Sequence, residues 1–305
     1  MFLCAVTGPI SLLTFPFRAT IMAYRMSRRG GRVHLGDCAI LPLGLFFRVL
    51  FGQRFSVSTN GLDVFYPAWW YQKMVRFCLP YADVVVCSSR RLASEVLARG
   101  VAPEAIREIP YGVWPEECVE PTLRQTNSVP HLLTIGRLIP RKGVFWFLTA
   151  VFPLLIERYP TLRYSIIGTG TDAARIRSLI TERSWEKHVF MRPQEEREQA
   201  FAEADLFVMP NIDIPGNGEG LPLVCLEAMA RGVPVAASRL DGITDAVKEG
   251  VTGRFFSPGS ASECVEVIEQ LLVDPLDRGR IVAACRESYL WPRLVERYSK
   301  EVFAF

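Results

Sequence analysis

From His131 onward the chain alternates short, continuously apolar runs with longer stretches whose apolar positions recur at helical spacing. "HLLTIGRL", "RYSIIG", "HVFM", "DLFVMP", "PVAAS" and "GRFF" read as strands. Among and after them, "GVFWFLTAVFPLLIERY", "DAARIRSLITER", "EREQAFAEA", "PLVCLEAMARG" and "SASECVEVIEQLLV" read as helices. Gly232 stops one of these at a natural left-handed cap. Strands that are apolar throughout, separated by helices, predict a parallel sheet covered on both faces.

The first half repeats the theme more weakly. "GRVHLGD", "RFSVSTNG" and "ADVVVCSS" read as buried strands, and "SRRLASEVLARG" as a helix closed by Gly100. The stretch "WPEECVEPTLRQTNSVP" is polar, contains proline and has no period, so it reads as a linker. The expected partition is a first α/β domain over 1–115, a linker over 116–128, a second α/β domain over 129–275 and a helical segment over 276–305. In that last segment "RESYLWPRLVERYSKEVFAF" reads as one amphipathic helix. Tyr289, Leu290, Trp291, Leu294, Tyr298, Val302 and Phe303 lie largely on one face. The chain opens on an apolar, helical-looking run rather than a strand and a Gly-rich turn, so the first sheet is expected to lack leading strands.

A length of 305 residues gives room for two cores, and 50% hydrophobic with 22% charged residues is ordinary for a globular protein. The net charge of +3 is too small to argue for a nucleic acid partner. It is unevenly spread: "YRMSRRGGR" gathers Arg25, Arg28, Arg29 and Arg32 just after the apolar "MFLCAVTGPISLLTFPF". Gly8, Pro9 and Pro16 interrupt that run, which falls short of the ~20 apolar residues of a membrane span. Its basic residues follow the apolar part, unlike a secretory signal. The expectation is a cytoplasmic protein, with two readings of the start left open: a membrane-facing edge, or a core helix with a solvated basic end. Eight scattered cysteines without a CxxC pair, and three separated histidines, argue for no zinc site.

Candidate chemistry gathers at the ends of the second domain's strands, where α/β sheets bind ligands. In "TIGRLIPRKG", Gly136 and Arg137 follow a strand and Lys142 comes five residues later; two cations there suit a diphosphate. "SIIGTGTDAARI" places Gly168, Gly170 and Ala173 in a GxGxxA pattern, a weak dinucleotide signal because no acidic residue follows at the usual distance. In "GNGEGLPLVCLEAMARG", Pro222 suits a first helical turn, which puts Gly220 and Leu221 at the helix start and Glu219 in the loop before it. Free amides at that end attract an anion. Glu227 sits among core-like residues and needs a partner there; vicinal hydroxyls of a ribose would serve.

At this point several motifs resemble one family. "GEGLPLVCLEAMARGVPVAAS" looks like the glutamate–seven–glutamate signature of retaining GT-B glycosyltransferases of the family 4 type. "IGRLIPRKG", "IIGTG", "DLFVMPN", "DGITDAV" and "EGVTGRFFSPG" follow in the family's order. The resemblance implies an α/β fold of the GT-B kind, with two Rossmann-like domains whose parallel sheets face a central cleft, the first one shortened. It implies a sugar moved from a nucleoside diphosphate to an acceptor hydroxyl with retained configuration, without a metal or other cofactor. By that similarity Arg137 and Lys142 hold the diphosphate and Glu219 contacts the transferred sugar. The amides of Gly220, Leu221 and Leu223 lie near sugar and phosphate, and Glu227 grips the ribose. The base lies beside Gly168, Gly170 and the backbone of Met191 and Arg192. The implied partners are a nucleotide-sugar donor and a saccharide or lipid-linked acceptor; contact with the inner membrane surface is an expectation from the basic, apolar start alone.

The chain also departs from the family pattern. Asn60-Gly61 stands where many members have His-Gly, so Asn60 can bind donor sugar but cannot ionise there; Tyr111-Gly112 replaces a common Asn-Gly, and Arg192 stands where glycine is frequent. The alternative to a working transferase is a nucleotide-sugar-binding subunit without turnover. Base, sugar, acceptor and oligomeric state are not legible.

Overall fold

A computed structural model describes residues 20–22, 24–25, 32–119, 129–215, 218–240 and 242–303. The apolar start, with Arg28 and Arg29 of the arginine cluster, lies outside the described residues. Among those described, ten strands make two sheets, and every strand pair in them is parallel. The chain divides into two compact units: one runs up to Pro110 and takes back Val295 onward, and the other is Tyr111–Leu294.

The first unit carries β1 (Val33–Leu35), β2 (Phe55–Thr59), β3 (Val84–Cys87) and β4 (Ile106–Glu108), in that spatial order. β4 was not expected from the sequence: it is a three-residue edge strand with two polar residues, and an edge needs burial on fewer sides. Its helices are α1 (Leu41–Phe51), α2 (Gly61–Phe65), α3 (Trp69–Cys78) and α4 (Arg90–Leu97), the last capped by the Ser89 hydroxyl. Phe55, Val57, Val75, Val85 and Leu92 form its core with no exposed surface.

In the second unit β5 (His131–Ile135) comes first in sequence but lies inside the sheet. On one side stand β6 (Arg163–Ile167) and β7 (Val189–Arg192), and on the other β8 (Leu206–Met209), β9 (Val235–Ser238) and β10 (Gly253–Phe256). Counted within the unit this is the doubly wound order, and the winding reverses between β5 and β8. One apolar layer centres on Phe147, Phe152, Tyr164 and Ile176, the other on Phe201, Phe207, Leu226 and Met229. Tyr164 is fully buried, and its hydroxyl donates to Thr134 Oγ1 at 2.8 Å, which donates in turn to the Val208 carbonyl.

The helices that follow the strands are α5 (144–158), α6 (Ala173–Glu182), α7 (Arg197–Glu203), α8 (Leu223–Ala230), α9 (Ile243–Ala246), α10 (Ala261–Val273) and α11 (Arg278–Tyr289). The first of them is interrupted by a π-helical turn at Phe147–Val151; Pro153, just beyond, has no N–H to continue the ordinary ladder.

The single C-terminal helix expected from the pattern is two. The chain breaks at Leu290, and α12 (Trp291–Phe303) starts with a proline at its second position. Val113 fills the break: its amide donates to the Tyr289 carbonyl at 2.7 Å, and its carbonyl accepts from Trp291 at 3.0 Å. From Val295 on, α12 belongs to the first unit, where the Tyr298 hydroxyl lies 2.5 Å from Ser58 Oγ and 2.9 Å from His34 Nε2. Tyr111–Cys118, expected to close the first domain and open the linker, belongs to the second unit; Cys118 is buried in its core. Residues 120–128, most of the expected linker, are not described.

Candidate functional site

Charged groups converge where the winding reverses. The loop leaving β5 carries Arg137, Arg141 and Lys142, the end of β8 brings Asn211, and the loop before α8 brings Glu219. Lys142 Nζ donates to Glu219 Oε2 at 2.6 Å, and Asn211 Nδ2 to the same oxygen at 3.0 Å. Arg141 NH1 also donates to that oxygen from a side chain only 6% exposed. Burial alone would raise the Glu219 carboxyl, but the charges of Lys142 and Arg141 outweigh it and hold the pKa below the usual range. The group is therefore a fixed carboxylate, suited to accept hydrogen bonds from ligand hydroxyls and unsuited to act as a proton donor.

Lys142 thus lies on Glu219 rather than standing apart with Arg137, as a simple diphosphate pair would. Arg137 is exposed and has no ion pair among the described residues. The sequence reading missed Arg141 and Asn211. Both sit inside motifs it singled out, "IPRKG" and "DLFVMPN", but periodicity does not say which of two arginines turns inward. Asn211 Oδ1 and Arg141 Nε are buried at this point without a hydrogen-bond partner among the described residues.

The backbone here admits no side chains. Gly143 has φ +68°, and a Cβ would come within 1.7 Å of the Pro210 carbonyl oxygen; the Ile212 amide donates to the Arg141 carbonyl at 3.0 Å. A Cβ on Gly168 would come within 1.8 Å of the Gly136 carbonyl oxygen, and Leu138 donates to the Thr169 carbonyl at 2.7 Å. The GxGxxA glycines therefore zip the β6 loop onto the β5 loop, which explains them without a dinucleotide.

The start of α8 differs from the expectation. Pro222 is the cap, with φ −78° and ψ 104°, and the helix begins at Leu223, so Gly220 and Leu221 are loop. Glu227 is half-buried rather than buried, and it has a protein partner: Arg197, at the start of α7, pairs with its carboxylate. Arg231 donates to the Glu227 carbonyl and pairs with Glu198. Arg192, at the end of β7, is held by Glu203 at 2.7 Å and Glu196 at 3.6 Å, so its guanidinium is engaged. Met191 and Arg192 line a shallow groove of about 620 Å³ along the outer edge of β7. That groove is larger than the charged cleft between β5 and β8, but the convergent polar groups are in the cleft, and we assign the site there.

In the first unit Asn60 is a helix cap: its amide and side-chain nitrogen donate to Asp63 Oδ2 at 2.9 and 3.1 Å. Burial, then the nearby charge of Asp37, pushes the Asp63 carboxyl up to about 6.

The sequence profile described as "Glycosyl transferases group 1" matches residues 129–274, the part of the chain that builds this site. The GDP-mannose-dependent alpha-(1-6)-phosphatidylinositol monomannoside mannosyltransferase of Mycolicibacterium smegmatis is 30% identical over 281 residues, covering 83% of this chain and 72% of that protein. The chain belongs to the glycosyl transferases group 1 family. The amylovoran biosynthesis glycosyltransferase AmsK of Erwinia amylovora is 30% identical over 209 residues, 67% of this chain and 51% of AmsK. The sulfoquinovosyl transferase SQD2 of Arabidopsis thaliana is 29% identical over 78% of this chain and 47% of its own length. The chain thus spans about half the length of these last two group 1 relatives. Among solved structures, Anabaena HepE in complex with UDP superposes with a TM-score of 0.80 at 17% identity, covering 98% of this chain and 85% of that one. Two parallel-sheet α/β units with such neighbours give this group 1 member the GT-B fold.

Proposed function

We propose that this chain transfers a sugar from a nucleoside diphosphate to an acceptor hydroxyl, with retained anomeric configuration and without a metal, as family 4 enzymes do. The observation that carries the proposal is the Glu219 carboxylate fixed by Lys142, Arg141 and Asn211 at the reversal point of the second sheet. A carboxylate held ionised by two cations is a poor nucleophile and a poor acid, which favours a positioning role. It accepts hydroxyl hydrogen bonds of the transferred sugar, roughly 1.5–3 kcal/mol each. Arg137 and Lys142 neutralise the departing diphosphate, and stabilising that charge is the main electrostatic task. The departing phosphate then receives the acceptor's proton on the same face of the sugar. Gly220, Leu221 and Leu223 offer backbone amides ahead of α8, and Glu227 takes the ribose hydroxyls once Arg197 releases it. The base lies by Gly136, Gly168, Gly170 and the backbone of Met191 and Arg192.

The donor is a nucleotide sugar; UDP is bound by the HepE neighbour, and GDP-mannose is named for the mycobacterial relative. The names of AmsK and of the mycobacterial relative speak of amylovoran and of a phosphatidylinositol monomannoside, which supports a saccharide or lipid-linked acceptor.

The test is thermal stabilisation by UDP, GDP and ADP, on the wild type and on Glu227→Ala, followed by release of the nucleoside diphosphate from its sugar donors. One diphosphate should raise the Tm of the wild type and leave the variant unmoved. If no nucleotide stabilises the wild type, the reading is wrong.

A further inference from the structure

We propose that the joined outer face of α1 and α3 docks on an anionic lipid bilayer. The two helices pack against each other in the first unit. Each buries one side: Leu41, Gly44 and Phe47 from α1, and Tyr71, Val75 and Cys78 from α3. Each leaves the opposite side in solvent. On α1 the exposed positions are Pro42, Phe46, Val49 and Leu50, spaced four, three and one apart, which is a single helical stripe. On α3 they are Trp69, Trp70, Lys73, Arg76 and Phe77, again one stripe. Trp69 is 71% exposed, Val49 73% and Phe77 64%. The apolar surface continues past both helices, since exposed Tyr24 meets the Phe51 ring at 5.6 Å and Tyr81 meets Phe77 at 6.1 Å.

Scattered exposed apolar side chains need no explanation, but two adjacent stripes of them do. Their make-up points to lipid. Tryptophan and tyrosine, apolar bodies with one polar end, favour the headgroup level of a bilayer. Lysine and arginine interleaved with them add about 1 kcal/mol each toward an anionic surface. Lys73 lies over the Trp69 ring at 5.1 Å, and neither Lys73 nor Arg76 has a carboxylate partner among the described residues. Arg48 and Arg54, by contrast, both pair with Asp83.

The chain also holds no Asp or Glu from Cys38 to Leu62 or from Val64 to Ala82. A symmetric pair of copies joined by this face would bring Lys73 and Arg76 against themselves with no acid to answer them. Anionic headgroups supply that acid. Among the described residues no helix is long and apolar enough to cross a membrane, so the contact is peripheral, lying in the interface. The inference does not depend on the transferase reading, because the readout is binding alone.

The experiment is sedimentation of the full chain with vesicles of phosphatidylcholine, with and without phosphatidylglycerol, at low and high salt, alongside tryptophan emission. The wild type should pellet with the phosphatidylglycerol vesicles, lose that binding in high salt, and shift its emission to the blue. Lys73→Glu with Arg76→Glu should weaken binding by about tenfold or more, and Trp69→Ser with Trp70→Ser should weaken it and remove most of the blue shift. Both pairs change exposed positions, and an unchanged melting temperature shows that each still folds. Wild-type protein that stays in the supernatant with anionic vesicles overturns the proposal, as does equal pelleting by folded variants. A dimer in solution that Trp69→Ser with Trp70→Ser dissolves would overturn it in favour of a second copy.

Discussion

Lys142 Nζ and Glu219 Oε2 lie 2.6 Å apart across 77 residues of sequence, and Arg141 closes on the same oxygen from the next position in the chain. One carboxylate thus fixes two cations, and the three groups act together. Removing Lys142 leaves Glu219 buried with fewer donors, a cost of about 1–3 kcal/mol. If the diphosphate is the leaving group, Lys142→Ala should also lower the rate of transfer on the order of 10²–10³-fold. Initial rates of nucleoside diphosphate release, read beside a thermal melt, check both effects. A variant with full activity removes Lys142 from the chemistry.

The depressed Glu219 carboxyl gives a pH signature. Its folded-state pKa lies below the ordinary 4.5, so its stabilising contribution is present above that value and is lost as pH falls through the folded-state pKa. Melts of the wild type and Glu219→Gln should differ by a constant amount near neutrality and converge in acid. A difference that grows on acidification contradicts the assignment.

His34 supplies a second pH dependence in the first unit. Burial lowers its pKa from 6.5 to about 4, so the folded state prefers the neutral ring. That preference contributes about 3 kcal/mol above pH 6.5. It drains away as pH falls from there to about 4. Asp63 tilts the other way: its carboxyl is raised to about 6, and its share is lost as pH rises through that value. His34→Asn should flatten the loss of stability between pH 6.5 and 4, and Asp63→Asn should steepen it. Melts across that range decide.

Gly168 and Gly143 tolerate no Cβ, because each would strike a backbone carbonyl that cannot move independently. Gly168→Ala should lower stability by about 1–3 kcal/mol. It should weaken nucleotide binding beyond that by splaying the β5 and β6 loops. Isothermal titration of the folded variant with the nucleoside diphosphate that stabilises the wild type separates the two effects.

Arg197 and Glu227 give opposed expectations. Glu227→Ala should weaken nucleoside diphosphate binding tenfold or more, the loss of one hydrogen bond to a charged group. Arg197→Ala should preserve or tighten binding, because it removes the partner that competes with the ribose. If both substitutions weaken binding alike, Arg197 contacts the nucleotide itself.

The second unit was readable because its strands are largely apolar runs separated by helical periods, and α8 ends on a recognisable stop before Gly232. The residues that carry Glu219, Lys142 and Glu227 were legible as motifs at strand ends. Their partners were not. Whether Arg137 or Arg141 turns inward depends on Gly143 lying under Pro210, which is a tertiary contact. The pairing of Glu227 with Arg197 joins two helices that no local pattern relates. The break at Leu290 had a local signal in Pro292, which cannot continue a helix from before it; that Val113 fills the gap is the part no local pattern shows. β4 escaped because a three-residue edge strand has too little pattern to show.

The placement of β5 has a consequence for how the protein comes together. It is the first strand of its unit to be made, yet it pairs with β8 about 74 residues later, and the carboxylate that joins its two cations follows later still. Contacts so distant in sequence close slowly, because the loop entropy must be met before they form. Until β8 docks, Arg141 and Lys142 have no carboxylate to fold onto. A nucleotide in solution would then act as a reporter of completion, binding only chains whose sheet has closed, and its appearance during refolding would mark the last step rather than the first.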